Sequence, residues 1–285
     1  MTNCLLCQSS TTVVGEKPGG RIKRNFTLRH CQTCGFYFVE DPELDFEKIY
    51  DEAYYDGRGA DPLINYNHEI ESFSTTVRNY EWRGITKFVQ SCLGKLDGLT
   101  WLDYGCGTGG LVRFCNENLP VKAHGFDQSS VTEKALIPVL SEADLEKYQG
   151  AFDVITAIEV LEHCIDPLTE FAKLRRLLKP GGLLFCTTGN TAPFESKILD
   201  WSYYVPDIHV SLFQPKTLKY CLEKTGFRAE NHGFQPGFES IIRFKVLKVL
   251  KMSEMNMLEK MVPWSIAAKI VESKFKLSDF PVGRG

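Results

Sequence analysis

Asp103-Tyr104-Gly105-Cys106-Gly107-Thr108-Gly109 sets a carboxylate directly before three glycines, and Gly110 completes a Gly-x-Gly-x-x-Gly pattern. Glycines at such a bend let the backbone turn sharply and approach a ligand closely. The pattern alone fits a nicotinamide or flavin nucleotide as well as other adenosyl ligands. Asp103 separates these readings, because a carboxylate there opposes a diphosphate and favours a cationic sulfonium or amino group. Asp127, 24 residues further on, is spaced to accept hydrogen bonds from ribose hydroxyls in either ligand class.

A second constellation lies at the amino end. Cys4-Leu-Leu-Cys7 and Cys31-Gln-Thr-Cys34 are two CxxC pairs, with Gly35 after the second. Each pair curls two thiolates toward one point, and two pairs complete a closed zinc tetrahedron with no open position for catalysis. The predicted role is structural, since bound zinc supplies on the order of 10 kcal/mol to a segment too short to bury a core.

Two histidines suit the work of a general base. His163 follows Glu159 and Glu162, and His209 lies in Asp207-Ile208-His209-Val210-Ser211-Leu212-Phe213. Each follows a predicted core strand, and an imidazole titrates near neutrality. The plainer reading is that each only hydrogen-bonds structure. Glu159, Glu162 and His163 stand at i, i+3 and i+4, one face of a helix that suits a metal, although a solvated helix face is the reading favoured. Between them, Asn190 to Pro206 carries Phe194, Trp201, Tyr203 and Tyr204, a substrate wall or lid if these aromatics do not simply pack on the core.

These residues need elements to position them. A strand near Leu99–Asp103, the glycine bend, a helix from Gly110 and a strand ending near Asp127 read as βαβ, and alternation of this kind gives a parallel sheet. Further strands fit 152–157, 183–188, 227–233 and 240–246, with a helix over 167–178 and the turn Pro180-Gly181-Gly182. Residues 68–96 predict one or two helices interrupted at Gly84, and 36–61, with Tyr50, Tyr54 and Tyr55, a short helix and loop. The domain reading is a zinc ribbon over 1–40, connecting and lid helices over 41–96, the ligand-binding core over 97–246 and a helical tail over 247–285. In 243–277, eight Lys or Arg stand against three Glu, a basic amphipathic tail that fits a solvated face on a core-packed helix, or else peripheral membrane or subunit contact.

WLDYGCGTGG, HGFDQS, FDVITAIEVLEH and LLKPGG occur in that order across Trp101 to Thr188. Through them the chain resembles the class I S-adenosylmethionine-dependent methyltransferases. With the CxxC pairs and His-Val-Ser-Leu-Phe, it is similar to bacterial members that modify sugars or other small metabolites. The resemblance implies a doubly wound, Rossmann-like α/β fold with seven strands ordered 3-2-1-4-5-7-6, strand seven antiparallel. It places S-adenosyl-L-methionine along Asp103, Tyr104, Gly105, Cys106, Gly107 and Gly109, with Asp127 and Gln128 at the ribose. Asp144, Leu145 or Glu142 would flank adenine, and Ile158 and Glu159 would close the site. A likeness to ubiquinone-pathway O-methyltransferases would imply a divalent metal near Glu159.

The expected substrate is a small molecule, a saccharide or its nucleotide-linked precursor, methylated on O or N. A net charge of -3 disfavours nucleic acid. The ribbon cations Lys17, Arg21, Lys23, Arg24 and Arg29 keep an rRNA or tRNA methyltransferase as the second reading, and a non-catalytic cofactor-binding protein as the third. Without a basic and apolar leader or a long apolar run, a cytoplasmic monomer or homodimer is expected.

Overall fold

A computed structural model describes residues 2–44, 49, 66–128, 135–276 and 279–285. At the amino end Thr12–Pro18 (β1) and Asn25–His30 (β2) form an antiparallel hairpin, and Tyr37–Val39 (β3) pairs with β2. Residues 36–39, expected to begin a helix and loop, therefore enter a strand; Tyr50, Tyr54 and Tyr55 lie outside the described residues.

Tyr66–Glu71 (α1) and Arg78–Leu93 (α2) lead into the main sheet, and α2 runs through Gly84 without a break. Thr100–Tyr104 (β4), Gly110–Asn118 (α3), Lys122–Phe126 (β5), Val139–Leu140 (β6), Glu142–Leu145 (α4), Phe152–Ile158 (β7), Pro167–Leu177 (α5) and Leu178–Thr187 (β8) follow. After a long excursion come Ser211–Leu212 (β9), Pro215–Lys224 (α6), Arg228–Glu230 (β10), Pro236–Val249 (α7), Trp264–Phe275 (α8) and Val282–Arg284 (β11).

The seven-stranded sheet has the order β10-β11-β8-β7-β4-β5-β6. Numbered within the core, this is the expected 3-2-1-4-5-7-6, with β11 antiparallel to both neighbours. Its central strands are buried on both faces, so they read as apolar runs. Trp101, Val154, Leu183 and Phe185 meet Trp82, Phe88, Leu111 and Phe114 on the side of α2 and α3. Their alternates Leu102, Ile155, Ala157 and Leu184 meet Phe171, Leu174, Leu218 and Leu222 on the side of α5 and α6.

Two expectations fail at the carboxyl end. Residues 240–246 belong to α7, whose Phe238, Ile241, Ile242 and Phe244 are buried. Their β-branched and aromatic content suggests a strand, but packing on α2 overrides that propensity. The seventh strand is instead β11, the last residues of the segment expected to be a helical tail. The rest of that segment is half engaged: Arg243 pairs with Glu259, while Val262, Ile266 and Ile270 stay exposed. No described helix is long and apolar enough to cross a membrane.

Because β11 alone joins β10 to β8 and buries Val282, a chain ending at Phe280 should lose at least about 2 kcal/mol of unfolding free energy. Denaturant titration against the full chain measures this, and equal midpoints would show that the strand adds no stability.

Candidate functional site

The glycine bend leaves the tip of β4. Gly105, Gly107 and Gly109 have φ of 78°, 53° and 78°, a region closed to most side chains. At Gly105 a Cβ would also lie 2.4 Å from Val160 Cγ2. The Gly105 and Cys106 N–H groups donate to Phe126 O at 2.7 and 3.0 Å, and Gly107 N–H donates to Asp127 Oδ2 at 2.8 Å. The loop is thus tied to the end of β5, and partly exposed Asp127 faces it beside exposed Gln128.

Asp103 is 5% exposed, and its Oδ1 accepts from the Thr156 hydroxyl at 2.8 Å. Burial pushes its carboxyl up to about 7, against the Thr156 hydrogen bond. Tyr104 and Cys106 are buried; the Tyr104 hydroxyl bonds Glu170 and its ring packs on Phe126, so Tyr104 presents backbone to the loop. Asp144 caps α4 through Ser141 and pairs with Lys147 at 2.9 Å, and Leu145 is 1% exposed in the core. Ile158, half-buried, ends β7.

Beyond β7, Glu159 adopts φ of 55° and Leu161–His163 forms one 3-10 turn. The i, i+3, i+4 helix does not form, and Glu162 is fully buried rather than solvated. Lys245 approaches Glu159 at 3.2 Å. Burial raises the Glu159 carboxyl, but Lys245 and Lys248, with the Tyr203 and Thr187 hydroxyls, prevail and hold it near 2. Burial and then the Glu159 charge push Glu162 up to about 8. The pair is driven apart, Glu159 toward its charged form and Glu162 toward its neutral one, and the Tyr203 hydroxyl contacts both.

His163 Nδ1–H donates to Ile208 O at 3.1 Å, and His209 Nδ1–H donates to Tyr203 O. A carbonyl only accepts, so His209 carries the proton on Nδ1 and leaves Nε2 as a lone-pair acceptor, while His163 also bonds the Glu159 backbone. The ring centroids lie 5.0 Å apart. Burial lowers both imidazoles; for His209, burial and then His163 bring it to about 3. Ligand-type atoms of Glu162, His163 and His209 fall within 4.8 Å of one another, and Glu162 Oε2 has no hydrogen-bond partner among the described residues. Phe194, Trp201 and Tyr203 stack in series at 4.5 and 4.8 Å, and Tyr203 lies 4.4 Å from His209. Tyr204 is buried with Phe26 and Leu28, and the three stacked rings pack, partly buried, against the same cluster.

The four ribbon thiols also gather within 4.8 Å. Cys4 Sγ is 3.5 Å from Cys34 Sγ and Cys7 Sγ 3.4 Å from Cys31 Sγ, near the ~3.8 Å edge of a tetrahedral zinc-thiolate site. The Cys34 hydrogen bond pulls the Cys4 thiol down to about 5. The residues fit zinc, which all four would hold.

Thr156, Lys245 and Asp207 escape notice in the sequence, because each acquires its partner across 53, 86 and up to 187 residues. Only the expectation of a helix face singles out Glu162. A hollow of about 180 Å³ at Leu93, Leu99, Asp153 and Gly181 lies at the other ends of the strands, away from these groups.

A family profile described as a methyltransferase domain matches residues 76–232. The ubiquinone biosynthesis O-methyltransferase of Leptothrix cholodnii is 30% identical over 120 residues, 37% of this chain and 51% of that protein. The protein of the same description from Cereibacter sphaeroides is 36% identical over 114 residues, 34% of this chain and 44% of that one. The chain thus spans about half the length of these curated relatives. A solved S-adenosylmethionine-dependent methyltransferase from Archaeoglobus fulgidus overlaps with a TM-score of 0.45 at 16% identity, over 71% of this chain and 94% of its own.

Metal analysis of the purified chain should return about one zinc. Cys31→Ser should release it and lower the melting temperature by several degrees, whereas a metal-free, fully folded wild type would remove the assignment.

Proposed function

We propose, on the premise that this chain belongs to the methyltransferase domain family, that it moves the methyl group of S-adenosylmethionine onto a hydroxyl of a small ring-bearing molecule. The observation that carries this reading is the convergence of two neutral imidazoles and the orphan Glu162 oxygen on one spot beside the glycine bend. Methyl transfer is an in-line displacement, so the chain's work is to orient, exclude water and receive one proton. The donor supplies the electrophilic methyl. Asp103 would face its cationic part and Asp127 its ribose.

His209 Nε2 is the leading proton acceptor, with His163 beside it. Protonation makes a buried imidazolium, and the ionised Glu159 partly offsets that charge. Burial keeps this imidazole neutral, with its Nε2 lone pair available for the proton of a ring hydroxyl such as a phenol or enol. The Phe194-Trp201-Tyr203 stack would lie against such a flat ring. The printed description of the relatives, O-methyltransferases, supports an oxygen acceptor. A saccharide, first choice on sequence alone, thus ranks second. RNA loses ground, since Arg24 and Arg29 pair with Asp41 and Glu40.

Labelled S-adenosylmethionine offered with catechols, simple phenols and nucleotide sugars tests the acceptor class; methylation of the sugars alone would reverse the ranking. His209→Gln should lower turnover about 100-fold with donor affinity unchanged, and a fully active variant would remove His209 as the base. A carboxyl raised to about 7 is largely neutral below that pH and charged above it. Donor affinity by calorimetry should therefore rise up to about tenfold from pH 6 to pH 8, and Asp103→Asn should flatten that dependence.

A further inference from the structure

The stretch 203–213 supplies the carbonyls that hold both imidazoles, and it is gripped from two sides. On the core side His163 Nδ1–H reaches Ile208 O at 3.1 Å, Ser211 Oγ–H donates to Cys164 O at 2.7 Å, and Thr191 N–H to Phe213 O at 3.0 Å. On the ribbon side Val39 N–H donates to Val210 O at 2.9 Å, and β9 adds a fourth strand to the ribbon sheet by pairing with β3. Between these grips sits Asp207, 1% exposed. Its carboxylate accepts three consecutive ribbon N–H groups, from Gly20 at 2.9 Å, Arg21 at 2.7 Å and Ile22 at 2.8 Å.

A buried carboxylate is stable only while such donors face it. Asp207 therefore commits the chain around it to the ribbon hairpin. Ile208 N–H and His209 N–H both close onto Val205 O, at 2.9 and 2.7 Å, forming the turn that contains Asp207. That turn delivers His209 Nδ1 to Tyr203 O and Ile208 O to His163 Nδ1. The ribbon hairpin in turn is closed by the Cys4, Cys7, Cys31 and Cys34 cluster.

We infer that Asp207 is a positioning residue through which the cysteine-closed ribbon holds His209 in the one tautomer whose Nε2 can take the acceptor's proton, with His163 held beside it. The inference rests on the reading of these imidazoles as the base. Coupling of this kind is reciprocal, so loosening the ribbon loosens the histidines and the reverse.

Long-range 15N–1H correlation of the imidazoles reads the tautomers without turnover. Zinc-loaded wild type should show His209 as a single Nδ1–H form. Asp207→Asn puts an amide N–H against the ribbon donors. It should keep its zinc and bind S-adenosylmethionine within about twofold of wild type, yet mix the His209 tautomers and exchange the amides of 205–213 at least about tenfold faster. Wild type stripped of zinc should show the same two changes. Thr217→Val, which loses only the hydroxyl bond to Cys34 O at 2.8 Å, should keep His209 locked. Should Asp207→Asn not fold, Arg21→Pro removes one of the three donors and should give the same changes at smaller amplitude. Single tautomers persisting in Asp207→Asn, or in its proline substitute, and in zinc-stripped protein would overturn the inference. A fully active His209→Gln with the tautomers still coupled to zinc would instead remove the base assignment and leave the coupling standing.

Discussion

Asp103, Glu162 and His209 are buried where the carboxyl ends of β4 and β7 meet the loops that follow, and the chemistry available there follows from that burial. Burial disfavours whichever form carries charge, so it lifts Asp103 to about 7 and Glu162 to about 8, and takes His209 to about 3. Glu159 escapes because two lysines offset the same penalty. The pocket thus holds two weakened imidazoles, two carboxyls pushed toward their neutral forms, Asp103 and Glu162, and Glu159 paired with Lys245. A cationic donor entering it would complete the charge pattern, which is why a sulfonium suits this bend and a diphosphate does not.

Parallel strands make this concentration of groups practicable. All of β4, β5, β7 and β8 point the same way, so the loops that follow them meet at one edge of the sheet. The Glu159 backbone, at φ of 55°, turns the chain back under that edge and buries Glu162 behind it. Lys245 comes from α7, which packs on α2, so the helical layer that covers the sheet also supplies the counter-charge for Glu159.

The ribbon is joined to the core rather than appended to it. Cys4, Leu6, Cys31, Phe36 and Phe38 belong to the same buried cluster as Leu102, Phe171 and Leu218. Its sheet takes its fourth strand from the segment that carries His209, and Thr217 and Tyr220 of α6 bond Cys34 O and Leu6 O. A small module that cannot bury a core alone borrows one, and in exchange fixes a loop next to the pocket.

The order of strands came only through the family resemblance, whereas local pattern was enough for the glycine bend, Asp103 and the cysteine quartet. Each rests on spacing within a few residues or on one apolar run, and steric and thiolate geometry leave few other outcomes. The sequence could not reveal that β11 closes the sheet from a stretch of three residues, since so short a strand has no periodicity to detect. Nor could it show that α7 is a helix, that Glu162 is buried, or that Asp207 faces 20–22. Those outcomes depend on partners brought together from distant parts of the chain, and on desolvation, which exists only after the core has closed around them.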